Sequence, residues 1–271
     1  MINKNQLIEY FYQGTKSKNK IKIGVEHEKF ILNKDTLLPV SYDEKNGIKN
    51  ILEKLTLKGW KPLYDDNQET IIALKKGKEA ITLEPGGQIE LSGAPLDNIH
   101  ETCEETTNHL RELKKLGNEL NFILLGMGVE PNLGLDDFPW MPKQRYGIMK
   151  KYMKKVGTLG HHMMKRTCTN QVNIDYSSEE DMVEKFRIML NLEAIATAMF
   201  SNSPFDQGKI SKYKSLRSHF WHNTDADRTG LLPFVFEKDF NFENYANYAL
   251  NVPMYFINRD NKYIDMTPYT F

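Results

Sequence analysis

Hydrophobic and polar positions in this chain recur at two spacings. Residues 21–32 alternate with the period of two expected of a half-buried strand, and 60–63, 70–75, 80–84 and 88–92 are shorter strand patterns. Lys76-Gly77-Lys78 joins two of these as a hairpin turn, and Pro85-Gly86-Gly87 makes a second tight turn. Helical spacing predicts helices over 4–12, 48–57 (ending at Gly59) and 95–120, the last with Leu110, Leu113, Leu116 and Leu120 at helical intervals. A lysine-rich helix is expected over 142–155. Another over 178–200 opens with Ser177 or Ser178 as cap and Glu180 or Asp181 three residues on. A buried strand over 122–129 and strands over 165–176 and 254–257 complete the pattern. Strands that come in runs and hairpins, rather than alternating with helices, indicate an α+β fold with a largely antiparallel sheet. No linker, repeat or low-complexity stretch interrupts the chain, which reads as one continuous domain over 1–271.

Composition narrows the function. The 36 basic and 36 acidic residues cancel, so no bulk field attracts nucleic acid or an anionic membrane, and neither is expected as a partner. Cys103 and Cys168 form neither a disulfide framework nor a zinc-finger spacing. The longest apolar stretch, around 122–129, is far too short for a membrane span, and the first residues lack the apolar core of a signal peptide. A cytoplasmic protein is the expectation. Only seven basic residues are arginines, and each is a candidate fork for a carboxylate or phosphate.

Four constellations carry possible chemistry. In Gly24-Val25-Glu26-His27-Glu28 the two glutamates lie on one strand face, where their repulsion asks for a cation; a divalent ion with oxygen ligands would supply it, and a solvated strand face is the alternative. Glu84 and Glu90 flank the Pro-Gly-Gly turn, with Gln88, Glu90 and Ser92 on one face. Four such carboxylates on neighbouring strands suit more than one magnesium ion bridging nucleotide phosphates, although a plain hairpin has the same pattern. No phosphate-cradling glycine loop is present. The strand pattern at Arg166 places Thr167, Thr169, Gln171, Asn173 and Asp175 on one polar face, as in a cleft wall or an exposed strand. Arg217 and Arg228 lie in a polar segment that could bind a substrate carboxylate or form a structural Asp–Arg loop. His161-His162 and the Met149, Met153, Met163, Met164 group read as structural filler.

Taken together, Gly24 to Phe30, Leu83 to Pro95, Arg166 to Thr169, Asn202-Ser203-Pro204-Phe205, Arg217-Ser218-His219, Asp227 to Phe234 and Val252 to Phe256 resemble the plant and proteobacterial glutamate–cysteine ligases, over about 20–271. The resemblance implies a glutamine-synthetase-like curved, mostly antiparallel sheet with flanking helices. It implies ligation of the glutamate γ-carboxylate to the cysteine amine through a γ-glutamyl phosphate, with ATP and Mg2+, as the first step of glutathione biosynthesis. By the same resemblance Glu26, Glu28, Glu84 and Glu90 would hold magnesium. Arg217 would bind a substrate carboxylate, Thr169, Gln171 and Tyr255 would line the amino-acid pocket, and Arg166 and Arg228 would lie near substrate or phosphates.

Members of that family are longer, and a later acidic and arginine-containing strand contributes to their metal and phosphate site. The resemblance therefore implies a C-terminally truncated, incomplete catalytic domain, with an exposed sheet edge. A fragment, half of a split enzyme completed by a second chain, and a non-catalytic remnant that binds nucleotide or glutamate remain open. A ligase with another amine acceptor remains open as well. Cys103 matches a regulatory cysteine of plant members whose partner would lie beyond residue 271.

Overall fold

The computed structural model describes residues 3–65, 69–260 and 262–271. Helix α1 (Lys4–Gln13) is capped by Asn3, whose side chain accepts the Gln6 N–H. Strand β1 (Ile23–Asn33) follows, then α2 (Ile48–Thr56), β2 (Lys61–Tyr64), β3 (Ile71–Lys76), β4 (Glu79–Leu83) and β5 (Ile89–Ser92). Next come α3 (Ile99–Leu120), β6 (Phe122–Leu125), α4 (Gln144–Val156), α5 (Gly160–Arg166) and β7 (Asn170–Ile174). The remainder comprises α6 (Glu179–Phe200), a short hairpin of β8 (Phe205–Asp206) and β9 (Lys209–Ile210), α7 (Leu216–His222), a 3-10 turn at Pro233–Phe236, α8 (Phe242–Asn251), and a hairpin of β10 (Phe256–Arg259) and β11 (Lys262–Asp265).

The main sheet runs β2-β3-β4-β5-β1-β6, with β7 also on β1, and every pair is antiparallel. This is the α+β class expected from the runs of strands. Ile31, Leu74, Ile81, Leu83, Ile89 and Leu91 point to one side and pack on Ile48, Ile51, Leu52 and Leu55 of α2 and Leu113, Leu116 and Leu120 of α3. Each such side chain contributes about 1.5–3 kcal/mol when fully buried. Alternation then fixes the other face. With Ile89 and Leu91 in the core, Glu90 must point away from it, and the register Glu28↔Glu90 sets two carboxylates side by side.

Several elements differ from expectation. The strand predicted over 165–176 is β7 alone, because α5 continues through Arg166 before the chain extends. The helix predicted from 95 starts at Ile99, where the Asn98 side chain accepts the N–H groups of His100 and Glu101. Gly126 and Gly128 follow the end of β6, which stops at Leu125 with only Phe122 buried. The C-terminal strand lies at Phe256–Arg259 rather than 254–257.

Candidate active site

The turn after β4 is built by packing. Gly87 sits at φ +89, and a Cβ on Gly86 would lie 2.4 Å from the Lys165 carbonyl oxygen, so the turn presses directly on the end of α5. Gln88, 1% exposed, clamps the two together: its Nε2 donates to the Thr167 carbonyl at 2.8 Å and the Met164 carbonyl at 3.3 Å, and its Oε1 accepts the Gly86 N–H at 3.0 Å. Thr169 is tied to β1 on the other side, accepting the Glu28 N–H at 3.0 Å and donating its own N–H to Glu28 Oε2 at 2.9 Å. Carboxylates from β1 and the β4–β5 turn are thereby set opposite the segment that leads into β7.

These elements enclose a cavity of about 780 Å³. Glu26, Glu28, Glu84, Glu90, Thr169, Gln171, Arg217, Arg228 and Tyr255 all line it. Burial, reinforced by Glu84 and Glu90, pushes the Glu28 carboxyl up to about 8. Burial and Glu90 likewise raise Glu84, opposed by Lys143 and Arg145. The Asn173 amide donates to Glu26 Oε1 at 3.1 Å, and Ser92 donates to Glu90. Charge on Glu28 and Glu84 is thus disfavoured, and a cation beside them would restore it.

Arg217 faces this acidic wall from α7. It is largely buried, which lowers its pKa, and Glu28 opposes that shift. Its Nε has no hydrogen-bond partner among the described residues. A buried guanidinium with an unused donor is arranged to receive an anion. Arg228 is differently placed. Its Nη1 donates to Asp225 Oδ2 at 2.6 Å and to the Tyr152 hydroxyl at 3.2 Å, and its guanidinium lies 4.0 Å from the Tyr255 ring centroid. Arg228 therefore holds the Tyr255 wall while its charge still faces the cavity.

The structure does not bring Arg166 to this cavity. It is 0% exposed, with Nη2 on Asp206 Oδ1 at 2.7 Å and Nη1 3.0 Å from His162 Nδ1. Burial under Phe220 and a carboxylate partner give it a structural pairing, although its Nε, like that of Arg217, has no hydrogen-bond partner among the described residues. His161 is also occupied structurally, against the Lys150 carbonyl at 2.8 Å.

Sequence reasoning passed over Arg145. It occupies the first turn of α4 and lines an adjoining cavity of about 290 Å³ with Glu84, Tyr146, Met149, Tyr255 and Phe256. Its Nε, like that of Arg217, is buried without a partner among the described residues. The scarcity of arginine was the signal that could have found it.

Among the described residues, no three His, Cys, Asp or Glu side chains form a group that could hold a metal ion by themselves. Magnesium does not require one: it is commonly held by one or two carboxylates, with substrate phosphates and water completing its shell. The hard oxygen donors present and their mutual repulsion suit that arrangement. Cys168 is buried, which raises its thiol pKa well above the usual range, and both Cys103 and Cys168 are unpaired.

Residues 22–270 match the model of glutamate–cysteine ligase family 2. The chain is 52% identical over 271 residues to the chloroplastic glutamate–cysteine ligase B of Oryza sativa subsp. japonica, covering all of this chain and 54% of that protein. It is also 52% identical over 274 residues to the chloroplastic enzyme of Arabidopsis thaliana, covering all of this chain and 51% of the relative. The chain thus spans about half the length of these relatives. The relatives' chloroplastic location overturns the expected cytoplasmic one; residues that build a fold read alike in either compartment, so composition could not separate the two. Among the described residues no helix is long and apolar enough to cross a membrane. With the family match running over nearly the whole chain, this polypeptide belongs to glutamate–cysteine ligase family 2.

Proposed function

We propose that the cavity is the ligation site for glutamate and cysteine, driven by ATP. The observation that carries this is the opposition of four carboxylates, Glu26, Glu28, Glu84 and Glu90, across one cavity to Arg217, whose Nε has no hydrogen-bond partner among the described residues. Magnesium held by those carboxylates would neutralise phosphate charge and orient the nucleotide. Arg217 binds a substrate carboxylate through its free donors, and Thr169 and Gln171 present polar groups to the amino acid. Tyr255, backed by Arg228, forms the wall that orients it. Arg145, beside Glu84, receives a second anionic group, either carboxylate or phosphoryl oxygen. Arg166 acts indirectly, by fixing α5 against the β8–β9 hairpin.

In the balanced reaction, the glutamate γ-carboxylate oxygen takes the terminal phosphoryl group of ATP and ADP leaves. The cysteine amine then attacks the acyl phosphate carbon, phosphate departs with the carbon–oxygen electron pair, and the amine gives up a proton. The chain's own residues contribute position and charge; no covalent nucleophile is needed. The half-length match supports a further part of the proposal: a completing polypeptide, on this chain or a second one, contributes to the finished site. The chloroplastic relatives support a plastid location. The reading is tested by incubating the chain with ATP, Mg2+, glutamate and cysteine, with and without the unmatched part of the Arabidopsis relative, and detecting γ-glutamylcysteine by mass spectrometry. Product requiring both amino acids supports it. ADP release that is indifferent to cysteine but requires another amine would replace it with a different acceptor.

A further inference from the structure

Among the described residues the guanidinium of Arg228 has one carboxylate partner, Asp225, and that carboxylate lies behind the cavity wall. Thr224, Arg228, Thr229 and Tyr255 line the main cavity, whereas Asp225 does not and is 1% exposed. A carboxylate buried so deeply is costly unless donors fill its oxygens. Here they do. Oδ2 accepts Arg228 Nη1 at 2.6 Å and the Tyr255 hydroxyl at 3.4 Å, and Oδ1 accepts the Asp227 N–H at 3.1 Å. One buried oxygen therefore holds two side chains that face the cavity.

The chain around Asp225 is fixed. The N–H groups of Thr158 and Leu159 donate to the Asn223 carbonyl at 3.1 and 3.0 Å, and a Cβ on Gly157 would lie 2.1 Å from the Thr224 carbonyl oxygen, so the link from α4 to α5 is pressed onto this loop. Thr229 closes it from the other side, donating its N–H and its hydroxyl to the Asp225 carbonyl at 2.8 Å each. Tyr255 is placed differently. Its carbonyl accepts the Met266 N–H, within its own C-terminal segment. Its ring meets the rest of the wall through side chains: the Arg228 guanidinium at 4.0 Å, the Tyr152 ring at 5.2 Å, and Asp225 through the hydroxyl. Arg228 Nη1 also donates to the Tyr152 hydroxyl at 3.2 Å. Asp225 is thus the fixed end of a chain of contacts that joins its loop, α4 and Tyr255.

We propose that Asp225 is a positioning residue for the amino-acid wall of the cavity: it holds Arg228 against Tyr255 and so sets the face that Tyr255 turns to the substrate. The pairing also occupies Arg228. Its charge is matched by Asp225, which leaves Arg217, whose Nε has no hydrogen-bond partner among the described residues, as the guanidinium that receives a substrate carboxylate. Asp225→Asn keeps the shape and removes the charge. Arg228 then loses its anchor and turns toward the cavity as a second fork, and Tyr255 loses the cation on its ring and the anion at its hydroxyl. The amino acid as ligand rests on the ligase reading; the arrangement of Asp225, Arg228 and Tyr255 does not.

The test places 3-fluorotyrosine at position 255 of the full chain and, as a control, at position 42, where the buried Tyr42 donates its hydroxyl to the Ile71 carbonyl at 2.9 Å in the core. Fluorine NMR of the ligand-free chain compares the parent with Asp225→Asn. The resonance at 255 should move and that at 42 should stay. Asp225→Asn leaves a partly buried cation unpaired, which costs stability. Asp225→Asn combined with Arg228→Gln leaves no unpaired charge and is read in the same way. A 255 resonance that stays put in either folded variant, or moves only together with that at 42, overturns the proposal. Initial rates in the ligation mixture described above then read the effect on substrate. Asp225→Asn should lower kcat/KM for glutamate or cysteine about tenfold or more, with KM for ATP within about twofold of the parent. An equal loss for all three substrates at unchanged KM values, as a smaller active fraction gives, overturns the role at the amino-acid wall. A parent mixture that makes no product counts against the ligase reading alone, and the fluorine result decides Asp225.

Discussion

Glu28 and Arg217 face each other across the cavity, and each leads to a measurable expectation. Glu28 is held protonated-prone by burial and by Glu84 and Glu90, with its pKa near 8. Glu28→Gln keeps its shape and removes the repulsion. The ligand-free variant should therefore unfold at a higher urea midpoint than the parent at pH 8, while ligation falls at least about a hundredfold if Glu28 holds the cation as proposed. Arg217→Lys keeps the charge and loses the fork. KM for glutamate should rise about ten- to a hundredfold in initial-rate measurements, equivalent to about 1.5–3 kcal/mol. At this scale much was legible. The period of two paired Glu26 with Glu28 and Thr169 with Gln171, and all four reach the cavity. Strand parity alone could not tell a solvated face from a cleft, since that depends on Arg217 arriving from α7. Arg166 and Arg145 show the limit: the guanidinium that matched a motif is paired with Asp206, while an unremarked one in α4 lines the adjoining cavity beside Glu84.

Two elements hold the carboxylate wall in place, the Pro85–Gly87 turn and α3. Gly86→Ala would drive a methyl to 2.4 Å from the Lys165 carbonyl oxygen and 2.8 Å from its Cα. Backbone cannot yield as a flexible side chain does, so a loss of about 1–3 kcal/mol is expected in urea denaturation. Helix α3 buries His109, with Nδ1 unpartnered among the described residues and the pKa lowered to about 4, chiefly by burial and then by His27 and Lys29. Below pH 6.5 the unfolded chain takes up a proton that the folded chain refuses. Stability should therefore be full above about 6.5 and fall as pH drops toward 4, by roughly 3 kcal/mol from this residue. His109→Gln should flatten that limb of the urea midpoint against pH. Element types were readable because β1, α2, α3 and α6 repeat their period over many residues. The boundary between α5 and β7 was not: it is set by Gln88 reaching across to the Thr167 carbonyl, a contact 79 positions distant in sequence.

Over the whole molecule, the sheet has a packed face on α2 and α3 and a functional face that ends at an unfinished side. Capping at Ser178 marked where α6 begins but gave no sign of what covers its exposed apolar stripe. Periodicity reports that a face wants burial, and only the fold reveals that it remains uncovered. The same holds for β7, whose alternation was legible but whose free edge follows from the topology. Compartment was not legible at all, since nothing in a folded core distinguishes plastid from cytosol.

The most direct test of the central claim is formation of γ-glutamylcysteine by the chain mixed with the unmatched part of the Arabidopsis relative, in the presence of ATP, Mg2+, glutamate and cysteine. The account expects product and ADP in equal amounts, dependent on both amino acids and lowered at least about a hundredfold by Glu28→Gln. A folded, assembled complex that yields no product, or product that survives Glu28→Gln undiminished, would contradict it.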